Sequence, residues 1–122
     1  MKLLLNSLLL ICFVFVGNAQ KKDAITILGK DNFAEAIKDN NIQLLDVRTP
    51  KEYAEGHIAD AKLLNYFEKD AFRKYAGKLD KDEPVYLYCR SGNRSQKAAK
   101  ILVDMGFTEI YDLEGGYMNW SE

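Results

Sequence analysis

The segment "VYLYCRSGNRS", Val85 to Ser95, sets a thiol at the end of an apolar run and follows it at once with two arginines, two serines and a glycine. A cysteine becomes a nucleophile when its surroundings favour thiolate over thiol. The residues that follow Cys89 suit that task. Gly92 admits backbone angles that other residues avoid, and consecutive loop amides can turn inward as an anion-binding nest. A helix starting near Arg94 adds unsatisfied N–H groups and the positive end of its dipole. The chemistry this pattern predicts is covalent group transfer through the Cys89 sulfur. The plainer alternative is a core cysteine on a buried strand, since free cysteine is commonly buried. A core residue, however, has no need of a glycine-containing, arginine-flanked loop that opens a helix.

Cys89 has no partner for an internal disulfide. The chain has two cysteines, and the other, Cys12, lies in an amino-terminal stretch with the order of a secretory signal peptide: Lys2, an apolar run from Leu3 to Val16, then Gly17-Asn18-Ala19. Residues 1–19 are therefore expected to be removed after Ala19, leaving a single domain over residues 20–122 in a periplasmic or secreted protein with no stable membrane anchor. A spanning helix would need about 20 apolar residues. Ile11, where a small residue would be required, argues against lipid attachment at Cys12. One cysteine and one histidine, His57, fall short of the usual zinc ligand set, so no metal is expected. At 122 residues and 48% hydrophobic composition the chain suffices for one domain, and its formal charge of −1 argues against nucleic-acid binding.

The elements that must hold Cys89 follow from punctuation and periodicity. "IQLLDV" (Ile42 to Val47) and "VYLYC" (Val85 to Cys89) are short, nearly continuous apolar runs and read as central strands covered on both faces. "AITIL", "AKLLN" and "EIYDL" read as flanking or edge strands. Between them, "DNFAEAIKDN" predicts a helix capped by Asp31, with Phe33, Ala36 and Ile37 on one stripe and an end at Asn40-Asn41. "TPKEYAEG" carries a capping box of Thr49 and Glu52, with Pro50 at the first helical position and Gly56 at the end. "FEKDAFRKYAGKL" predicts a third helix with Ala71, Phe72 and Tyr75 inward and Gly77 as terminator. The fourth runs from about Arg94 to Met105, with Ala98, Ile101, Leu102 and Met105 on one face and Gly106 as a left-handed cap. In such alternating sheets, sites gather where strand ends lead into helix starts, which is where Cys89 stands.

Four polar residues upstream need a role. Asp46, Arg48, Glu52 and His57 resemble an acid–base cluster, yet a supporting role fits them better: Arg48 and Glu52 are spaced to pair across the start of the short helix, while Asp46 and His57 fix neighbouring loops. Trp120 and Tyr117 are expected to cover the core. Asn93 and Asn119 each match the glycosylation pattern, but a glycan at Asn93 would fill the proposed site.

Three stretches in order, "LLDVRTPKEYAEGHIADAKLLN", "YCRSGNRS" and "EGGYMNW", resemble the signatures of rhodanese-homology domains, across roughly Ile25 to Trp120. The resemblance implies a three-layer α/β domain with a mostly parallel sheet of about five strands flanked by helices. It also implies a sulfurtransferase that works through a Cys89 persulfide without a cofactor. Ser91, Gly92, Asn93 and Arg94 would then supply backbone amides around the persulfide, with Ser95 closing the loop. Arg90 and Arg94 would bind an anionic donor such as thiosulfate, and the acceptor would be a thiol or cyanide. Cell-cycle phosphatases with a similar fold enclose five residues between cysteine and arginine, whereas Cys89 and Arg94 enclose four, a tighter ring that suits one sulfur atom. A scaffold that binds without turnover is the remaining alternative.

Overall fold

The computed structural model describes residues 23–39 and 41–121; the expected signal segment, with Cys12 and Ala19, lies outside them, as does Asn40. Five strands and five helices alternate: β1 (Ile25–Leu28), α1 (Lys30–Ala36), β2 (Gln43–Asp46), α2 (Pro50–Glu55), β3 (Lys62–Leu63), α3 (Lys69–Ala76), β4 (Val85–Tyr88), α4 (Asn93–Asp104), β5 (Ile110–Leu113) and α5 (Gly116–Trp120). The strands form one sheet in the order β1-β5-β4-β2-β3. Every pairing is parallel, with Leu45 opposite Leu87 and Leu87 opposite Asp112 at its centre.

Side chains alternate across a strand, and this alternation builds two cores. Val85, Leu87 and Cys89 point to one face, where α3 and α4 supply Phe72, Ala76, Ala98, Ala99 and Leu102. Tyr88 points to the other, where it joins Phe33 of α1, Leu113 and Ile58, with Tyr117 and Trp120 packed against them. The sheet is thus the middle of three layers, the arrangement in which parallel strands are shielded on both sides.

The capping box forms as the sequence specifies. The Glu52 amide donates to Thr49 Oγ1 at 3.3 Å, the Thr49 amide donates to Glu52 Oε1 at 3.2 Å, and Pro50 occupies the first turn. Gly106 follows α4 with φ +104°, the left-handed conformation expected of it.

Other expectations shift. The first helix starts at Lys30 behind Gly29, so Asp31 lies inside the first turn rather than capping it, and the helix ends at Ala36 instead of reaching Asn40-Asn41. Ala71 is exposed. The buried stripe of α3 is Phe72 and Ala76, one full turn apart, and Ala71 stands about 100° round the helix from Phe72. Of the two readings offered for "EIYDL", flanking holds and edge does not: β5 lies between β1 and β4. The closing "EGGYMNW" contains a short helix, α5, that periodicity did not predict.

Candidate active site

Strand β4 ends at Tyr88 and α4 begins at Asn93, so Cys89 to Gly92 is the whole connection. Gly92 caps the helix with φ +115° and ψ −12°, a left-handed conformation that turns its own amide back toward the strand end. That N–H donates to Cys89 Sγ at 3.0 Å. Ser95, one turn into α4, brings its hydroxyl oxygen 3.3 Å from the same sulfur, within range of the thiol S–H. Of the amides expected around Cys89, Gly92's is the one bonded to sulfur among the described residues; Ser91 and Asn93 are exposed, and Arg94 and Ser95 supply side chains instead. The sulfur does not lie open on a pocket floor. Cys89 is 1% exposed and packs with Val47, Leu87 and Ala98, so it is held by the Gly92 N–H and the Ser95 hydroxyl oxygen on one side and hydrocarbon on the other.

The two arginines of the loop part ways. Arg90 is exposed and lines a cavity of about 410 Å³ together with Arg48, Glu52, Gly56, Tyr117 and Met118. Arg94 is paired: its Nη1 and Nη2 donate to the two carboxylate oxygens of Glu52 at 2.6 and 2.9 Å. This two-pronged geometry is the strong form of an arginine–carboxylate pair. Arg94, expected to face the donor anion, is thus engaged by Glu52 here and does not line the cavity. The same pair corrects the expected pairing of Glu52 with Arg48. The Arg94 guanidinium, aided by the Thr49 bonds and opposed by burial, holds the Glu52 carboxyl down to about 2. In return Glu52 raises the guanidinium, and the Cys89 sulfur adds to that effect. One carboxylate therefore caps α2 and locks the start of α4 to it.

Arg48 is committed elsewhere. Its Nε and Nη2 bond Asp46 at 3.0 and 2.7 Å, and Nη2 also donates to the Gly56 carbonyl at 2.7 Å. Burial opposes the Arg48 charge, but Asp46 outweighs it and the guanidinium is raised. Tyr88 donates to Asp46 Oδ2 at 2.8 Å and accepts the Ile58 amide at 3.0 Å. Burial, reinforced by Asp46, pushes that hydroxyl well above its ordinary range and keeps it a donor. Asp46 and Arg48, both almost fully enclosed, thus tie β2, β4 and the loop after α2 together. His57 is exposed. Its ring stacks on Tyr53 and its Nδ1 donates to the Tyr53 carbonyl at 2.9 Å, so it stands outside the cavity beside Cys89.

The closing segment reaches the site directly, which spacing did not reveal. The Tyr117 amide donates to the Cys89 carbonyl at 2.8 Å and the Met118 amide to the Arg90 carbonyl at 3.0 Å. Gly116 permits this approach: a Cβ there would lie 2.5 Å from the Arg90 carbonyl oxygen and 2.6 Å from that of Cys89. Tyr117 lies under the Arg48 guanidinium at 4.3 Å while bordering the cavity. Asp112 on β5 is also part of the surroundings, since it accepts from Ser95 Oγ at 3.0 Å. Among the described residues no group of three His, Cys, Asp or Glu side chains is placed to hold a metal ion.

A parallel α/β sheet whose central strand delivers a thiol into a four-residue loop, held by the amide at a helix start, defines a class of domains organised around a single loop cysteine. Residues 30–122 match the family model for the rhodanese-like domain, and the chain belongs to that family. It is 41% identical over 86 residues to the thiosulfate sulfurtransferase GlpE of Coxiella burnetii, covering 70% of this chain and 78% of that protein. The corresponding protein of Pseudomonas paraeruginosa is 32% identical over 87 residues, covering 71% and 76%. Among solved structures, a rhodanese-related protein from Thermoplasma volcanium superposes with a TM-score of 0.66 at 32% identity, over 77% of this chain and 88% of that one. The family is thus one whose relatives carry the name sulfurtransferase, on the fold the sequence implied.

Proposed function

We propose that this protein is a sulfurtransferase that takes sulfane sulfur from an anionic donor such as thiosulfate onto Cys89 and passes it to a thiol or cyanide. The observation that carries the reading is the Gly92 N–H aimed at Cys89 Sγ at 3.0 Å, a fixed donor suited to a negatively charged sulfur. In the first step the Cys89 thiolate attacks the outer sulfur of the donor. The S–S bond of thiosulfate breaks, its electron pair leaves with sulfite, and a persulfide remains on Cys89. In the second step the acceptor attacks the outer persulfide sulfur, and Cys89 leaves as thiolate. Arg90, exposed on the cavity rim, meets the donor's charge and stabilises departing sulfite.

The names of the relatives, thiosulfate sulfurtransferases, support the donor class. The commitment of Arg94 to Glu52 speaks against phosphate-ester or arsenate chemistry, which would need that guanidinium on the anion. The near-complete enclosure of Cys89 favours one rival, a scaffold that binds or carries without turnover, because the loop must yield by about one sulfur atom before a donor can react. Intact-protein mass after incubation with thiosulfate separates the two. One added sulfur, removed by cyanide and absent in Cys89→Ser, is expected; a mass that never changes would leave a binding scaffold, and a sulfur gained but not yielded to cyanide would leave a carrier.

A further inference from the structure

On the cysteine's side of the sheet, on the adjacent strand and level with Leu87, lies a buried acid that the transfer reaction as written leaves idle. Asp112 is 2% exposed. Its neighbours in register are Ile27 on β1 and Leu87 on β4, both apolar. From α4 Ser95 and Gln96 donate to it, the Gln96 side-chain amide to Oδ2 at 2.6 Å. Helices α1 and α5 cover the opposite face of β5 through Phe33 and Trp120. On the same side the Asp23 carboxylate shares a cavity wall with Ile27 and Gln96, and the Cys89 thiol lies beyond Ser95. No ion pair among the described residues includes Asp112. Its Oδ1 is buried without any hydrogen-bond partner.

A buried carboxylate with no counter-ion and one bare oxygen is costly as an anion. Burial pushes the Asp112 carboxyl up, with Gln96 and Ser95 pulling the other way. A proton on the carboxyl would relieve that cost, and the geometry contains a source for it.

Ser95 Oγ stands between the two groups, 3.3 Å from Cys89 Sγ and 3.0 Å from Asp112 Oδ2, with the Gly92 carbonyl oxygen at 3.1 Å. A hydroxyl has one hydrogen and two lone pairs. While Asp112 is ionised, that hydrogen goes to an acceptor, Asp112 or Gly92, and the sulfur must keep its own proton and donate it to Oγ. Once Asp112 carries a proton, the acid O–H donates to Oγ and the serine hydrogen turns to the sulfur.

Resting on the sulfur-transfer reading above, we propose that Asp112 takes up the proton of the Cys89 thiol through the Ser95 hydroxyl, so that thiolate forms inside the enclosed site without delivering a proton to solvent. The S–H bond breaks and its electron pair stays on sulfur. The proton passes to Ser95 Oγ as the serine's own proton passes to Asp112. Net charge in the site is unchanged, because one anion replaces the other. Asp112 is thus a positioning residue acting through Ser95, and the relay answers the problem set by a nucleophile that is 1% exposed. After the persulfide is discharged, the serine hydrogen again faces the departing thiolate.

The test measures Cys89 alkylation by a small neutral reagent across pH, alongside sulfur uptake from thiosulfate by intact mass, in wild type, Asp112→Asn and Ser95→Ala. The asparagine keeps the volume and removes a costly buried charge, so its melting temperature is expected to hold or rise. A free cysteine is only about 3% ionised at pH 7, so loss of the proton acceptor slows alkylation by up to ~30-fold there and moves its pH profile upward. Sulfur uptake slows in parallel but still reaches one atom per chain. The double variant is expected to be no slower than either single one, since both break one relay. A wild-type alkylation profile in Asp112→Asn and in Ser95→Ala overturns the relay while leaving sulfur uptake intact. Failure of the transfer reading looks different: the wild type takes up no sulfur, whatever the alkylation profiles show.

Discussion

Gly116→Ala isolates how far the carboxyl-terminal segment governs the thiol. The new Cβ would stand 2.5 Å from the Arg90 carbonyl oxygen, and ordinary contact begins at 3.4 Å, so the catalytic loop or α5 must retreat by about 0.9 Å. Gly116 has φ +61°, and alanine in that left-handed conformation costs about 1–2 kcal/mol. The retreat also stretches the Tyr117 and Met118 amide bonds to the Cys89 and Arg90 carbonyls, at about 1 kcal/mol each. The sum is about 3–4 kcal/mol, which in a domain of this size lowers the melting temperature by roughly 12–32 °C. A displacement near 1 Å at the nucleophile costs sulfur transfer on the order of 100-fold. Thermal melts and thiosulfate-dependent transfer below the melting range measure both. Gly92→Ala is the control. A Cβ there meets nothing within 4 Å, so only the strain of φ +115° remains, about 1–3 kcal/mol. If Gly116→Ala melts within a few degrees of wild type and transfers sulfur at the same rate, α5 does not hold the loop.

Arg90→Ala removes the exposed guanidinium on the cavity rim, and initial-rate kinetics are expected to show a raised KM for thiosulfate with kcat far less affected; an unchanged KM refutes its role. Glu52→Gln breaks the two-pronged bond to Arg94. Because the Glu52 carboxyl is held at about 2 in the fold, against an ordinary 4.5, its contribution is complete above 4.5 and lost as pH falls toward 2. Melting temperature measured down that range should therefore fall more steeply in wild type than in the glutamine variant, and parallel curves would refute the linkage. Export predicts an amino terminus at Gln20, readable from the intact mass of protein recovered outside the cytoplasm; a full-length mass there would refute cleavage after Ala19.

What the sequence made legible is local. Thr49, Pro50, Glu52 and Gly56 form a self-contained code for α2, because each partner lies within one turn of the next. Cys89 falls at a strand end leading into a helix for the same reason: an apolar run stops and a glycine opens the next element. Partners across the fold were not legible. Spacing offered Arg48 to Glu52, four residues apart, yet Arg48 takes Asp46 two residues away and Glu52 takes Arg94 from 42 residues downstream. An exposed (i, i+4) ion pair contributes only about 0.3–0.5 kcal/mol. A two-pronged pair that joins two helices at the site outcompetes it, and nothing in a local window reports that pair. Asp112 was obscured differently. The run "EIYDL" looks like a weak edge strand, and only its position between β1 and β4 turns an ordinary acid into a buried one beside Ser95.

The three ordered motifs acquire one physical meaning when their contacts are traced to the loop Cys89–Gly92 and the first turn of α4. From the first motif Glu52 grips Arg94; from the last, the backbone after Gly116 grips the Cys89 and Arg90 carbonyls; between them, β5 sets Asp112 against Ser95. Each contact uses a different part of the loop: a side-chain charge, main-chain carbonyls and a hydroxyl. None of them occupies the sulfur or the Gly92 amide that faces it. A loop fixed from three directions around its reacting atom meets the requirement for a preorganised nucleophile. It also explains why residues so far apart in the chain, Glu52 and Gly116, bear on one thiol: substituting either moves the same backbone that aims the Gly92 N–H.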